Sequence, residues 1–588
     1  MKKLLALILA LLMLLSMTAC GSNSGKVTVT FMYGGSAEVV AMFNMLINEF
    51  NSTVGNEKGI TIQGVPKGSG LDSVLAQQLP SNSGPDVVAI GDEIFKKYTP
   101  YFEDLSSHID SAAMADIYPN MTSRYHYNMD TTTSNDTDPL YGVPVYNDTT
   151  VLYYNKTAFD KVGVICISVP ADQIDAFNSG AADANGKTKA DYGITMDIPA
   201  KGFYRSEAPF VPDENETNGR SWEEPVSGEV LVFNDQIAMN WDEVEDLGLL
   251  CTQGYNKESK TKYGYYTEWW FNYTWSVGGD CTEDMTGNGD WVYTLPSEVP
   301  NYIVGEGKTY TGLYTGTVYN AGETLDMKDV LEAQKGDAIS YETDSKSYFN
   351  FTVNGAKAKY RDFSSQIADG TLAELPSTVD AFSRFVYLAG QGGLNVCPSP
   401  SEFTSSSVFY FTSGTLAMLV EESSNYLSIE KTMADDWGIA PLPQYKVYEE
   451  PENPDNDAVA ISGKTANHSL GFCAAVNKKS SAKDQSYIFL NWLITDGQKA
   501  LADNGYVSSR ISDKETSAAT MKQKNAGVIL DSVATAQPGD WWYMPDRTWI
   551  DTWANPLNNT VRYGKMSLED FLYQYIEETN DRLTDYKK

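Results

Sequence analysis

The residue types that most often carry out enzymatic chemistry are few in this chain and have no recognisable spacing. Its three histidines, His108, His126 and His468, stand in unrelated contexts, which suggests neither a histidine-rich metal centre nor a histidine-based triad. No GxSxG, Walker or HExxH motif occurs. Carboxylates are plentiful, and a glycosidase needs only two of them. The sequence therefore predicts no catalytic residue, cofactor or metal site, although composition alone does not exclude a glycosidase.

One acidic stretch, Asp284 to Asp290 with the sequence DMTGNGD, loosely resembles a calcium-binding loop. Such a loop needs an acidic side chain at its twelfth position, where this chain has Leu295. We therefore interpret the stretch as a hairpin turn.

Cysteine is thinly used and has no CxxC or metal-ligand spacing. After Cys20 the cysteines are Cys166, Cys251, Cys281, Cys397 and Cys473. Their number and separation exclude a disulfide scaffold. Both one or two bridges and buried free thiols are compatible with the sequence.

The N-terminus has the pattern of a secretory signal. Two lysines precede an apolar run from Leu4 to Leu15, which is too short to span a membrane. Met17-Thr18-Ala19-Cys20 resembles the lipobox of bacterial lipoproteins, and an ordinary cleaved signal is the alternative. The lipobox predicts removal of residues 1–19 and acylation of Cys20. Residues 20–25 would then be a lipidated tether that holds an extracytoplasmic body at the cell membrane.

The composition excludes some classes of partner. A formal charge of −35 on 588 residues repels phosphate backbones and anionic lipid, which argues against nucleic-acid binding and electrostatic membrane docking. The chain has 37 Tyr and 12 Trp, and these residues suit surfaces that combine apolar contact with hydrogen bonding.

The first hundred residues alternate between strand and helix patterns. In order, we predict a strand at Val27–Tyr33, a helix with Val39 to Phe50 on its apolar face, a strand at Ile60–Ile62, a helix at Leu71–Leu79 and a strand at Asp86–Ile90. This alternation predicts a parallel sheet. Ligands bind at the carboxyl ends of such strands, where the loops Gly34 to Glu38 and Gly91 to Glu93 lie.

Two stretches, near residues 165–236 and 286–380, interrupt the α/β pattern. They are rich in Gly, Asn, Thr, Tyr and charge, but hold too many aromatic residues for a solvated linker. We predict strand-and-turn elaborations of one domain. Regular α/β patterning returns with Val379 to Leu388, and further helices are predicted at Asp484–Leu493 and Leu568–Thr579.

Six sequence blocks, in a fixed order, resemble those of one known family. They are Pro85-Asp86-Val87-Val88; Tyr141 to Tyr146 with Val151 to Lys156; Asn240 to Val244; Thr267 to Trp270 with Ser276 to Asp280; Phe411 to Tyr426 with Asp436 to Pro443; and Gly471 to Arg510. Together they resemble the extracellular solute-binding lipoproteins of ABC importers, family 1, which includes maltodextrin-binding proteins. The two stretches described above lie outside the resemblance.

The resemblance implies an α/β, two-lobed, periplasmic-binding-protein-like fold with an interlobe cleft that closes by hinge motion. The first lobe would comprise residues 26–147 and a return at 468–510. The second lobe would comprise residues 148–467, enlarged by the two insertions, and the C-terminal helices of 511–588. A monomer, an oligosaccharide ligand, ABC transporter permease subunits as partners and no catalysis are also implied.

The resemblance also indicates candidate ligand contacts. Aromatic faces and paired carboxylates or amides are the groups that sugars require. The candidates are Ser36, Asp92, Glu93, Asp148, Glu268, Trp269, Trp270, Asn425, Tyr426 and Trp549, the last beside a Trp541-Trp542-Tyr543 cluster. One of Trp269 and Trp270 should face the core, and Trp270 is our preference for the cleft.

Two other classes of function are compatible with the sequence. The negative charge is compatible with a binding protein for a cationic solute such as a polyamine. Such a site would show several cleft carboxylates and few amides. A surface glycoside hydrolase or glycan adhesin is the other alternative, and a hydrolase would show two carboxyls about 5–10 Å apart in the cleft.

Overall fold

A computed structural model describes residues 26–208, 222–344, 347–390, 392–398, 402, 405–539, 544 and 548–586. The predicted signal, Cys20 and the Trp541-Trp542-Tyr543 cluster lie outside these described residues. No helix in the described ranges is long and apolar enough to cross a membrane.

The structure mixes short strands and helices along the whole described chain. Its strands are β1 (Val27–Gly34), β2 (Ile60–Gly68), β3 (Val87–Gly91), β4 (Val143–Asn155), β5 (Val164–Ile167), β6 (Phe203–Arg205), β7 (Leu231–Asn234), β8 (Tyr263–Tyr266), β9 (Thr282–Asp284), β10 (Trp291–Tyr293), β11 (Asn301–Val304), β12 (Thr309–Thr311), β13 (Val318–Asn320), β14 (Ile339–Asp344), β15 (Ser347–Val353), β16 (Ala356–Lys357), β17 (Leu372–Leu375), β18 (Leu416–Glu422), β19 (Trp437–Ala440), β20 (Lys446–Tyr448), β21 (Val459–Ser462) and β22 (Ser469–Val476). Its helices are α1 (Ala37–Ser52), α2 (Val54–Lys58), α3 (Leu71–Gln78), α4 (Asp92–Tyr98), α5 (Ser111–Ala115), α6 (Pro119–Thr122), α7 (Lys156–Lys161), α8 (Ile174–Asn178), α9 (Trp241–Leu250), α10 (Phe271–Ser276), α11 (Met327–Val330), α12 (Ser364–Ala368), α13 (Thr378–Tyr387), α14 (Ser407–Thr412), α15 (Tyr426–Thr432), α16 (Lys483–Leu493), α17 (Asp496–Asp503), α18 (Lys514–Thr520), α19 (Ala526–Thr535), α20 (Thr548–Asn559) and α21 (Leu568–Asp585).

The main sheet has the strand order β2-β1-β3-β22-β4-β18-β8, with β19 also paired to β4. β1 lies parallel to both β2 and β3, as the strand-helix alternation predicts. The apolar face of α1 packs on this sheet through Met42, Phe43, Leu46, Ile47 and Phe50, all of which are buried.

Strand β4 joins the two halves of the molecule. Its residues up to Thr149 pair with β22, whereas Thr150 to Tyr154 pair with β18 on the other half. All of its residues except Tyr146 are buried, as expected for a central strand covered on both faces. β4 and β22 therefore form the crossing between the two lobes, and the predicted two-lobed α/β fold is confirmed.

The two insertions are ordered where they are described. The first contains the sheet β5-β7-β6 over a small apolar core that includes Ile174 and Phe177. The second has its own core, centred on Leu331, Phe351 and Phe363. Their hairpins and small cores fit the predicted strand-and-turn elaborations.

The stretch from Asp284 to Asp290 is the predicted hairpin turn, because β9 and β10 pair antiparallel on either side of it. The Asp284 carboxylate accepts backbone N–H groups of residues 286, 287, 289 and 290, so it is used in closing the turn. All five cysteines after Cys20 are buried free thiols.

Candidate ligand-binding cleft

Three adjoining cavities lie where the strands of the two lobes end beside the β4–β22 crossing, and we call them together the cleft. Their volumes are about 480, 510 and 620 Å³, which is the size range of small-molecule sites. The first is lined from the first lobe by residues including Ser36, Glu38 and Glu93, from the crossing by Tyr146 and Asp148, and from the second lobe by Glu422, Ser424 and Asn425. Both lobes therefore contribute side chains to one space.

The loop after β1 makes a turn at Gly35 and places Ser36 at the cleft. Gly35 has a φ of 113°, a conformation in which a Cβ atom is strained. The next residue, Ser36, begins α1, and its hydroxyl accepts the backbone N–H of Val39 at 3.3 Å. Ser36 lines two of the three cavities, so this predicted contact lies in the cleft.

Asp92 lines the first cavity, but its carboxylate is already paired. Arg124 Nη1 lies 2.6 Å from Asp92 Oδ2, and the Tyr125 hydroxyl donates to Oδ1 at 2.5 Å. Burial raises the pKa of Asp92, while Arg124 and Tyr125 act to lower it. Asp92 therefore stabilises the floor of the cleft, whereas Glu93 beside it lines the cavity without such a partner among the described residues.

Asp148 holds the crossing strand against the second lobe. Its carboxylate accepts the backbone N–H of Ser424 at 3.1 Å, the backbone N–H of Thr149 at 2.8 Å and the hydroxyl of Ser423. The residue is 4% exposed, and burial raises the pKa of its carboxyl against these hydrogen bonds.

Glu421 and Glu422 are the last two residues of β18. Both are acidic residues of the second lobe that line the third cavity of the cleft. Burial is the main cause that raises the pKa of Glu422 to about 9. The negative charges that add to this effect belong to Asp148, Glu421, Glu93 and Glu268. The Ser407 hydroxyl donates to Glu421 Oε2 at 2.5 Å, and burial raises the pKa of Glu421 to about 7.

The remaining candidates are divided between the cleft and other places. Asn425 lines two of the cavities. Tyr426 lines the second cavity, and its hydroxyl donates to the Lys522 carbonyl at 2.9 Å. Glu268 is exposed and close enough to act electrostatically on Glu421 and Glu422. Trp549 is fully buried in the core, so the structure does not bring it into the cleft.

Trp269 and Trp270 are both half-buried, and neither lines the three cavities. The Trp270 ring lies 5.1 Å from that of Trp553, and its indole N–H donates to Cys281 Sγ at 3.0 Å. The Trp269 ring lies 5.1 Å from His468, next to the crossing strand β22. Our preference for Trp270 as the cleft residue is therefore not supported by its position, which is against the core.

Sequence reasoning missed Tyr146, Asn147, Glu421 and Glu422 as lining residues. A signal for the two glutamates was present. They follow the apolar run Leu416 to Val420 in the same way that Asp92 and Glu93 follow β3, so the rule for strand ends would have found both pairs.

Comparisons with known proteins agree with this architecture. Residues 33–191 match the sequence profile of the family described as bacterial extracellular solute-binding protein. No curated protein sequence matches the chain.

Several solved structures share the fold. An ABC substrate-binding protein from Listeria monocytogenes in complex with cycloalternan is 12% identical, with a TM-score of 0.55 over 95% of this chain and 99% of that one. The cyclic alpha-maltosyl-1,6-maltose binding protein of Arthrobacter globiformis is 14% identical, with a TM-score of 0.55 over 96% and 100%. The GacH receptor of Streptomyces glaucescens, solved unliganded and with acarbose, is 14% identical, with a TM-score of 0.52 over 96% and 99%.

The resemblance predicted from the six sequence blocks is therefore confirmed. The chain has the two-lobed fold of the solute-binding proteins of ABC transporters, and its first part matches the family profile in sequence.

Proposed function

We propose that this protein is an extracytoplasmic solute-binding protein that captures an oligosaccharide in the cleft and delivers it to the permease of an ABC importer. The observation that carries the proposal is that one cavity is lined by polar side chains of both lobes and of the crossing between them. A ligand held in this way stabilises the closed arrangement of the lobes. Saccharide ligands in the named structural neighbours support the choice of ligand class.

Binding without chemical conversion is part of the proposal. Asp148 is a carboxylate of the crossing strand β4, and it accepts hydrogen bonds from Ser423, Ser424 and Thr149. A carboxylate held by three donors is poorly suited to act as a nucleophile or general base. Purified protein should therefore bind glycans without releasing reducing ends. Product formation that is lost in Asp148→Asn or Glu268→Gln would make the protein a hydrolase.

Attachment to the membrane through Cys20 is also proposed. The support is the lipobox-like Met17-Thr18-Ala19-Cys20, which follows the apolar run Leu4 to Leu15. The lobe boundaries given above, and those candidate site residues that line the cleft, are part of the same proposal.

The test is a thermal-shift screen of the chain from residue 26 onward against neutral and charged oligosaccharides. A ligand that binds only the folded state raises its stability by roughly 2.7 kcal/mol at a hundred times the dissociation constant. Small-angle scattering should show a more compact particle with each ligand that raises the melting temperature. If no saccharide of any charge gives a shift, the proposed ligand class is wrong.

A further inference from the structure

The first cavity of the cleft is acidic on every side. Its lining includes Glu38, Asp72, Asp92, Glu93, Asp148 and Glu422, and no lysine or arginine is among its lining residues. Neutral sugars need paired donors and acceptors rather than net charge, so this excess of carboxylates is more than a neutral saccharide requires.

Some of these carboxylates already have partners. Asp92 pairs with Arg124 at 2.6 Å, and Asp72 pairs with Lys97 at 2.9 Å. Asp148 is held by the hydrogen bonds described above. Glu93 and Glu422 are different, because neither side chain makes a hydrogen bond or ion pair with a described residue. Two acidic side chains from opposite lobes therefore line the cavity, and no lysine or arginine of the described residues lines it with them.

The side-chain amide of Asn147 is a second, independent feature of the cleft that points to a ligand. Asn147 lines the adjoining cavity and is 2% exposed, yet its side-chain Nδ2 has no hydrogen-bond partner among the described residues. Arg124 donates to Ser469 Oγ at 2.5 Å, and the Ser469 hydroxyl donates to Asn147 Oδ1 at 2.9 Å. These two hydrogen bonds orient the Asn147 side chain so that Oδ1 accepts from Ser469, which leaves Nδ2 without an acceptor among the described residues.

An unsatisfied buried donor costs about 1–3 kcal/mol, and a hydroxyl oxygen of a ligand would satisfy it. A ligand with amines alone has no such acceptor. In the described ranges, no three metal-ligating side chains gather closely enough to hold a metal ion. An organic ammonium group needs no such set of donors and forms strong charge-assisted hydrogen bonds to carboxylates.

We propose that the ligand of the cleft carries both a protonated amine, held by Glu93 and Glu422, and hydroxyl groups, one of which accepts from Asn147. An oligosaccharide with unacetylated amino sugars has this chemistry. The inference rests on the proposed function for the saccharide part, whereas the amine part rests on the charges of the cleft alone.

Calorimetric titration of the chain from residue 26 onward at pH 7 tests the proposal with four probes. They are a glucosamine tetramer, its fully N-acetylated counterpart, maltotetraose and spermidine. We expect the glucosamine tetramer to bind at least tenfold more tightly than the acetylated tetramer or maltotetraose. The ammonium group displaces the proton that Glu422 holds in the free protein, where the pKa of Glu422 is raised to about 9. The affinity should then fall as ionic strength rises, because the resulting attraction is between charges.

The variants Glu422→Gln and Glu93→Gln should each weaken binding of the glucosamine tetramer at least tenfold. Glu57→Gln, an exposed glutamate on α2 of the same lobe, is the matched control and should bind as the parent does. Melting curves show whether each variant is folded.

The outcomes separate the two proposals. Equal binding of the acetylated tetramer or of maltotetraose overturns the amine inference and leaves the saccharide function standing. Binding of spermidine alone supports the amine and overturns the saccharide. If neither the glucosamine tetramer nor spermidine binds, the amine inference is wrong.

Discussion

Arg124 and Asp92 form an ion pair of 2.6 Å beneath the cleft, and both side chains are at most 1% exposed. The same guanidinium reaches Ser469 on β22, so it ties the first lobe to the crossing strand. Removing one partner of a buried pair leaves an uncompensated charge and costs about 3–5 kcal/mol.

Arg124→Met should therefore lower the free energy of unfolding by about 3–5 kcal/mol, measured by chemical denaturation. Arg510→Met, which removes the partly exposed pair with Asp116, is the control and should cost about 1 kcal/mol or less. If the two variants lose equal amounts of unfolding free energy, burial does not make the Arg124–Asp92 pair more important for stability than an exposed pair.

Glu422 should make stability depend on pH. Its folded pKa is raised to about 9, so the folded state binds this proton more tightly than the unfolded state and loses stability as pH rises from about 4.5 to 9. The groups facing it are Asp148, Glu421, Glu93, Glu268 and the hydroxyls of Tyr146 and Tyr153. Glu422→Gln removes this pH-dependent loss of stability, because glutamine does not titrate.

The melting temperature of Glu422→Gln should therefore exceed that of the parent by more at pH 8 than at pH 5, by about 2 °C or more. The other titrating groups are common to both proteins and cancel in the difference. An advantage that stays constant with pH would show that Glu422 is not buried among like charges.

Trp270 and Trp269 should respond differently to substitution. Trp270 packs on Trp553, and its indole N–H donates to Cys281 Sγ. Because the ring is half-buried, Trp270→Ala should lower the free energy of unfolding by about 3 kcal/mol, the lower end of the cost of emptying a buried Trp site. Trp269 lies beside His468 at the crossing, and its indole N–H has no hydrogen-bond partner among the described residues. Trp269→Ala should cost less stability. Melting curves of both variants check the order, and a larger loss for Trp269→Ala would reverse the assignment.

The lipobox predicts that Cys20 carries acyl chains. Cys20→Ala should be released from the membrane or keep its signal uncut, because no thiol is left for acylation. Metabolic labelling with an alkyne fatty acid measures this directly, with Cys166→Ala, a buried thiol, as control. Label that persists on Cys20→Ala would rule out this anchor.

Much of the fold could be predicted from the sequence, because periodicity reports which faces are buried. The first five elements appear where their apolar patterns place them. The last helix continues to Asp585, beyond the predicted Thr579, since Leu583 extends the buried face. Side-chain direction could not be predicted in the same way. Whether Trp549 faces the ligand or the core depends on tertiary packing. Hydrophobic periodicity along the sequence does not report it.

The site was predictable only in part, for a related reason. Ser36, Glu93 and Asp148 follow from strand ends and the crossing, and they line the cleft. Asn147 was not foreseeable, because its importance comes from a hydrogen-bond chain through Ser469 and Arg124, residues far apart in sequence.

The central claim is that the cleft between the lobes holds the ligand, and a crystal structure of the complex with the tightest-binding saccharide tests it most directly. We expect the ligand between Glu93 and Glu422, with a hydroxyl within hydrogen-bond distance of Asn147 Nδ2. Another cavity, of about 600 Å³, is lined by residues of the second insertion that include Trp291, Tyr319 and Lys328. A ligand found there, with the cleft between Glu93 and Glu422 unoccupied, would show that the interlobe cleft is not the binding site.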